Sequence, residues 1–253
     1  MRQPIAVLAA MEQELRLIED RLHRPNSHEA GGRRFVSGTL AGVDVVTAIS
    51  GYGKVGAAAT VTTALDAFAP SHVVFGGVAG GVGEGVDIGD VVVANRLIQH
   101  DFDASPIFDR FVVPSLGVAE VAADPDLTDS LLNAAGAYIG GAFREEMARQ
   151  GKPPFEAGDT QVHVGLIASG DQFIDHVAQA RALLSDLPHL LAVEMEGAAV
   201  AQVCAERGVP FAVFRSISDR ADQKADVDFL AFIATVAAPI TAGVVDELMQ
   251  RLR

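Results

Sequence analysis

Short apolar runs rich in Val, Ile and Ala recur along this chain, closed by Gly, Pro or Asp, with helix-patterned stretches between several of them. That alternation constrains the fold most, because strands separated by helical stretches build a sheet with helices packed over it. Strands are expected at 5–9, 35–40, 43–48, 72–78, 91–98, 162–168, 191–195 and 211–216. Helices are expected at 13–22, 54–68, 126–137, 175–184, 197–207 and 229–251; the one after residue 197 has Gly208 to close it and Pro210 beyond. The run "SHVVFGGVAGG" is apolar at consecutive positions, as in a strand covered on both faces. The fold class is α/β, and residues 1–253 read as one domain. Residues 140–159 are polar and punctuated by Pro153, Pro154 and Gly158, which predicts a surface insertion or mobile loop.

Charge narrows the partners. With 33 acidic residues against 19 basic ones, the formal net charge is −14. Such an excess repels phosphate backbones and anionic lipid, so nucleic acid and membrane surfaces are not expected partners. Cys204 is the only cysteine, which excludes an intramolecular disulfide and fits a reducing compartment. The apolar start reaches acidic residues too soon for a signal-peptide core, and 229–245 is broken by Pro239 and Gly243. A soluble, cytoplasmic protein is expected.

Five stretches could carry chemistry. In "AAMEQELRLI", Glu12 and Glu14 begin the helix after the first strand. Acids in a first helical turn are ordinary dipole partners, yet open α/β sheets bind ligands at this junction. The glycines of "FGGVAGGVGEGVDIGD" allow close approach of backbone or ligand. A strand rather than a helix follows them and no G-K-[ST] is present, so neither a dinucleotide fingerprint nor a P-loop is expected. In "SGDQFI", Asp171 can cap a helix, or the loop can offer Phe173 to a planar ligand. In "FRSISDRADQ", Asp219 follows a strand with Arg215 four residues earlier, readable as an ion pair, a turn or a catalytic acid. His100 with Asp101 and Asp103 is the nearest approach to a metal set, but no metal-ligand spacing is present and no metal is expected.

The fifth stretch is "LLAVEMEGAAVAQV", where Glu194 and Glu196 interrupt an apolar run. Strand alternation would send both acids to one face and Val193 and Met195 to the other. Ionised carboxylates at a covered position need donors. A sugar's vicinal hydroxyls would supply them.

Together, in this order, "AAMEQE", "GGVAGGV", "SGDQFI", "AVEMEGAAVAQVC" and "FRSISDRAD" resemble the nucleoside phosphorylase and nucleosidase superfamily. The match is best to its 5'-methylthioadenosine/S-adenosylhomocysteine nucleosidase branch. The resemblance implies a three-layer αβα sandwich with a mixed, partly barrel-like central sheet, usually a homodimer. It implies a small nucleoside substrate, no cofactor, and hydrolysis of the N-glycosidic bond to adenine and a 5-thioribose sugar. Glu14 would activate water and Asp219 would protonate or hydrogen-bond N7 of the leaving adenine. Glu196 would hold the ribose hydroxyls, with Glu194 in support and Met195 against the sugar. Phe173 would stack on the base and Ile174 present its backbone to it, while Ser218 and Arg215 support Asp219 and the water. Phe229 would close the pocket, and Met11 and Val78 complete the substrate-facing set. Val78 stands where the family usually has Ser or Thr, and no Arg cluster lies between Gly51 and Leu65; both favour water over phosphate as nucleophile. The alternatives are a purine nucleoside phosphorylase, a nucleosidase for futalosine or inosine, and a nucleoside-binding protein without turnover.

Overall fold

The computed structural model describes residues 3–150, 160–220 and 229–253, without the side chains of 150, 229 and 230. In the first half, β1 (Ile5–Ala9) feeds α1 (Glu12–Glu19), and β2 (His23–Ala30), β3 (Arg33–Leu40) and β4 (Val43–Ile49) form a meander. Next come α2 (Lys54–Phe68), β5 (His72–Phe75), β6 (Val78–Gly81), β7 (Val91–Gln99), β8 (Glu120–Ala122) and α3 (Pro125–Tyr138). A π turn, Ile139–Phe143, joins α3 to α4 (Arg144–Gln150). The second half contains β9 (Val162–Ser169), α5 (Val177–Asp186), β10 (Leu190–Glu194), α6 (Gly197–Arg207) and β11 (Phe211–Arg220). It ends in α7 (Phe229–Phe232), a π turn over Ile233–Ala237, and α8 (Ala238–Arg251).

The strands run in the order β2-β3-β4-β1-β5-β11-β6-β10-β9-β7-β8, and β11 also pairs with β7. That extra pairing closes β11, β6, β10, β9 and β7 into a ring, so the sheet is open at one side and barrel-like at the other. β11 joins the two regions. Its first residues pair parallel with β5 and its last residues parallel with β6.

Successive strand residues serve opposite layers. Val7, Val74 and Phe214 face a core with Leu15, Leu131 and Leu248 from α1, α3 and α8. Their neighbours Leu8, Phe75 and Val213 face a second core with Val61 and Val200 from α2 and α6. Both faces are therefore covered, which is why the strands read as unbroken apolar runs. Full burial of each such side chain contributes about 1.5–3 kcal/mol. The expected three-layer α/β architecture with a mixed, partly barrel-like sheet is what the chain forms. Among the described residues no helix is long and apolar enough to cross a membrane.

Several boundaries differ from expectation. The strand expected at 72–78 breaks at Gly76–Gly77 into β5 and β6, where side chains from α1, β11 and α8 approach the backbone. A Cβ at Gly76 would sit 2.9 Å from the Phe214 ring. The strand expected at 191–195 ends at Glu194. Of the polar stretch at 140–159, residues through Gln150 are helical, and 151–159 lie outside the described residues.

Candidate active site

A cavity of about 270 Å³ opens where β1 meets α1, β5 gives way to β6, and β10 ends at α6. This is the carboxyl end of β1 and β10, the usual ligand end of an open α/β sheet. Glu14, Met11 and Val78 line one side, and Glu194, Met195 and Glu196 another. Arg215, Ser218 and Asp219 come from β11, and Phe173 and Ile174 from the loop after β9. Phe229 opens α7 by its backbone, and its side chain lies outside the described residues.

Glu14 is 1 % exposed. It is the third residue of α1, and its Oε2 reaches back to accept the Met11 N–H at 2.8 Å, half of a capping box. Its Oε1 accepts the Val78 N–H at 3.0 Å, across the β5–β6 break. The side chain at residue 78 is therefore not what Glu14 uses; the backbone donor is. Burial pushes the Glu14 carboxyl up to about 7, against the lowering pull of Arg215 and these backbone donors. Gly77 leaves room for both charged partners, since a Cβ there would lie 2.8 Å from Glu14 Oε1 and 3.1 Å from Arg215 Nη1.

The two acids of the "EME" stretch occupy different environments. Because β10 stops at Glu194, alternation stops with it, and Val193, Glu194, Met195 and Glu196 all reach the cavity. The expected separation of Val193 and Met195 from the two acids is thereby overturned. Glu194 is saturated: it accepts Arg215 Nη2 at 2.5 Å, the Glu196 N–H at 3.0 Å, the Gly197 N–H at 2.9 Å and the Ser169 hydroxyl. Glu194 is thus the ion-pair partner of Arg215, in place of the Arg215–Asp219 pair that sequence spacing allowed. Glu196 accepts the Gly53 N–H at 2.7 Å. Burial pushes it up to about 7, with the Glu194 carboxylate adding to the rise and Arg215 opposing it.

Asp219 and Ser218 reach the cavity together although they are consecutive in β11. The register shifts between Ile217 and Asp219, so Ser218 is the extra residue of a β-bulge, which re-aims side chains. The Ser218 hydroxyl donates to Asp219 Oδ2 at 2.8 Å. Burial raises the Asp219 pKa, and the Ser218 bond only partly offsets it.

Tyr52 and Gln172 also line the cavity and were not singled out from the sequence. Gln172 sits inside a motif that was. Tyr52 stands between Gly51 and Gly53, both with positive φ, and that glycine pair was the available sign of a tight turn. Phe173 is 57 % exposed at the mouth. Lining carboxylates outnumber lining cations: Glu14, Glu194, Glu196 and Asp219 surround Arg215, which Glu194 already engages.

Residues 4–250 match the family model of the phosphorylase superfamily. A 5'-methylthioadenosine/S-adenosylhomocysteine nucleosidase from Geobacillus sp. is 34% identical over 250 residues, covering 97% of this chain and 99% of the relative. The crystal structure of the Neisseria meningitidis nucleosidase of that name, in complex with methylthio-immucillin-A, aligns with a TM-score of 0.84 at 34% identity. It covers 98% of this chain and 99% of that one. The Colwellia psychrerythraea nucleosidase in complex with adenine aligns with a TM-score of 0.85 at 30% identity, over 100% of this chain and 96% of that one. The chain therefore belongs to the phosphorylase superfamily, within the family of the 5'-methylthioadenosine/S-adenosylhomocysteine nucleosidases.

Proposed function

We propose that this protein hydrolyses the N-glycosidic bond of 5'-methylthioadenosine and S-adenosylhomocysteine, releasing adenine and a 5-thioribose sugar. The observation that carries the reading is a pair of buried carboxyls, Glu14 and Asp219, in one cavity with different partners. The relatives' names and the methylthio-immucillin-A and adenine complexes support the same substrate class.

In the proposed reaction a water oxygen bonds to C1' and the C1'–N9 bond breaks, its electrons passing to the adenine. Glu14 accepts the water proton, and its two backbone donors fix the orientation of its oxygens. Asp219, whose pKa burial raises, donates a proton to N7 or holds a hydrogen bond to it. The transition state is oxocarbenium-like, and the surrounding carboxylates stabilise its positive charge. Glu196 has acceptor capacity left for the ribose hydroxyls, whereas Glu194 spends its own on Arg215 and backbone donors. Phe173 and Ile174 form the base wall and Met11, Val78 and Met195 the rest of the substrate surface. The balance needs no cofactor.

Water rather than phosphate is the nucleophile in this reading, because the other ionisable groups of the cavity are acids and its lining cation, Arg215, is already paired with Glu194. The decisive experiment incubates the protein with each nucleoside, with and without phosphate, and identifies the sugar. Free thioribose in both conditions is expected; a phosphate-dependent sugar 1-phosphate would overturn hydrolysis.

The proposal extends to one domain, a homodimer and a cytoplasmic location. The single family match over 4–250 supports the first, and a chain whose one cysteine, Cys204, is buried fits the last. Val55 and Ile107 are exposed apolar side chains outside the cavity lining that a homodimer interface would cover. A monomer in sedimentation equilibrium would remove the dimer.

A further inference from the structure

Three residues that do not line the cavity form a closed ring at the protein surface beside it. Lys54, the first residue of α2, donates its N–H to Asp171 Oδ1 at 2.8 Å. Asp171 donates its own N–H to Asp101 Oδ2 at 2.8 Å. Asp101 Oδ1 accepts Lys54 Nζ at 2.5 Å, which closes the ring. It ties the start of α2, the end of β7 and the loop after β9, which are distant in sequence. Glycines allow the close approach beside the ring: a Cβ at Gly53 would lie 3.0 Å from Asp171 Oδ1, and one at Gly170 would lie 2.2 Å from His100 Nε2.

Two ring members lie close in the chain to the cavity wall, and Asp101 joins them. Lys54 follows Gly53, whose N–H holds Glu196 Oε1 at 2.7 Å. Asp171 precedes Gln172, Phe173 and Ile174, the proposed base wall. The ring is thus a polar connection between the sugar side and the base side, additional to the bonds of Ser169 and Gly170 to Glu194 at the start of the same loop. Burial works to raise the Asp101 pKa, but the Lys54 ammonium and the Asp171 N–H outweigh it and hold it below the usual value. Asp101 is therefore a carboxylate at neutral pH, and its bonds in the ring are charge-assisted.

We propose that Asp101, through Lys54 and Asp171, is a positioning residue that holds the base-binding loop at a fixed distance from Glu196, and so sets affinity for the nucleoside without touching it. This rests on the nucleosidase reading above. Holding the two walls in register removes an ordering cost from binding, while Glu14 and Asp219 remain fixed by other bonds. Loss of the ring should therefore act on KM and leave kcat nearly intact.

The test compares wild type with Asp101→Asn, Lys54→Met and the double variant, using 5'-methylthioadenosine as substrate. Hydrogen exchange of the unliganded proteins is followed over residues 169–175. Asp101→Asn should raise KM about tenfold, the scale of one charge-assisted bond, with kcat within about threefold. The double variant should match Asp101→Asn rather than multiply the two effects, and exchange of the Asp171 amide should quicken in each. Wild type without turnover would sink the nucleosidase reading while exchange still tests the ring. Active wild type with an unchanged KM and unchanged exchange in Asp101→Asn would overturn the positioning role. So would a fall in kcat that tracks a loss of folded protein; if Asp101→Asn does not fold, Lys54→Met, which keeps its N–H to Asp171, decides by the same two readouts.

Discussion

At the scale of single residues, the site works by giving like groups unlike surroundings. Glu14 and Asp219 are both buried carboxyls raised above their ordinary pKa, but Glu14 has two backbone N–H donors and a nearby guanidinium, and Asp219 has one hydroxyl. Donors favour the ionised form, so Glu14 is the group better supported as a base and Asp219 as an acid. Asp219→Asn removes the proton while keeping the shape and the hydroxyl contact. Adenine release should fall about 10²–10⁴-fold with the melting temperature nearly unchanged; turnover at the wild-type rate would take Asp219 out of the mechanism. Glu194 and Glu196 illustrate the limit of local pattern. Their alternation predicted one shared face, whereas the chain leaves strand geometry at Glu194 and gives Glu196 the backbone of Gly53 as its donor. No spacing in the sequence announces a bond spanning 143 positions.

At the scale of elements, glycine and bulges decide where side chains can go. The elements themselves were largely legible, because β1, α2 and α6 are apolar runs with glycine or proline beside them and their observed ends coincide with the expected ones. The β2 strand was not, since "HRPNSHEA" is an exposed edge with little apolar content to reveal it. Its signal lay in the turn instead: Gly31 and Gly32 both adopt positive φ and join β2 to β3 in a two-residue hairpin. The β5–β6 break was hidden by the same apolarity that marked the strand, and only the density of glycines pointed to it. Gly77 is where that break meets the proposed chemistry. In Gly77→Ala the new methyl would press on Glu14 Oε1, the mobile end of a side chain, so the fold should survive with a cost of about 1–3 kcal/mol. The carboxylate would have to leave its position, and a displacement of that kind can cost about 10²-fold in rate. Adenine release measured beside thermal melting separates the two effects; full activity would mean that Glu14 need not stay where it is.

At the scale of the molecule, the site is a concentration of negative charge inside a chain that already carries a net charge of −14. Keeping such groups buried for function has a consequence for stability. Glu14 and Glu196 have folded-state pKa values near 7 against an ordinary 4.5, so the native protein retains protons that the unfolded chain releases. Where the native state binds more protons, stability falls as pH rises. Their effect is therefore absent below about pH 4.5, grows between about 4.5 and 7, and is complete above. Asp219, also raised, acts in the same sense. His100 acts in the opposite sense, since burial lowers its pKa and the unfolded chain binds its proton more readily. Because these contributions overlap in one melting curve, Glu14 is best isolated by difference, using Glu14→Gln. The amide keeps the shape and an acceptor but cannot ionise, so its stability relative to wild type should climb with pH. A pKa displaced from 4.5 to about 7 corresponds to about 3 kcal/mol between pH 4.5 and 8. Urea unfolding of both proteins across that range reads the quantity directly. A difference that stays flat with pH would mean that Glu14 titrates in the folded protein as it does in the open chain, and the buried base proposed for water activation would go with it.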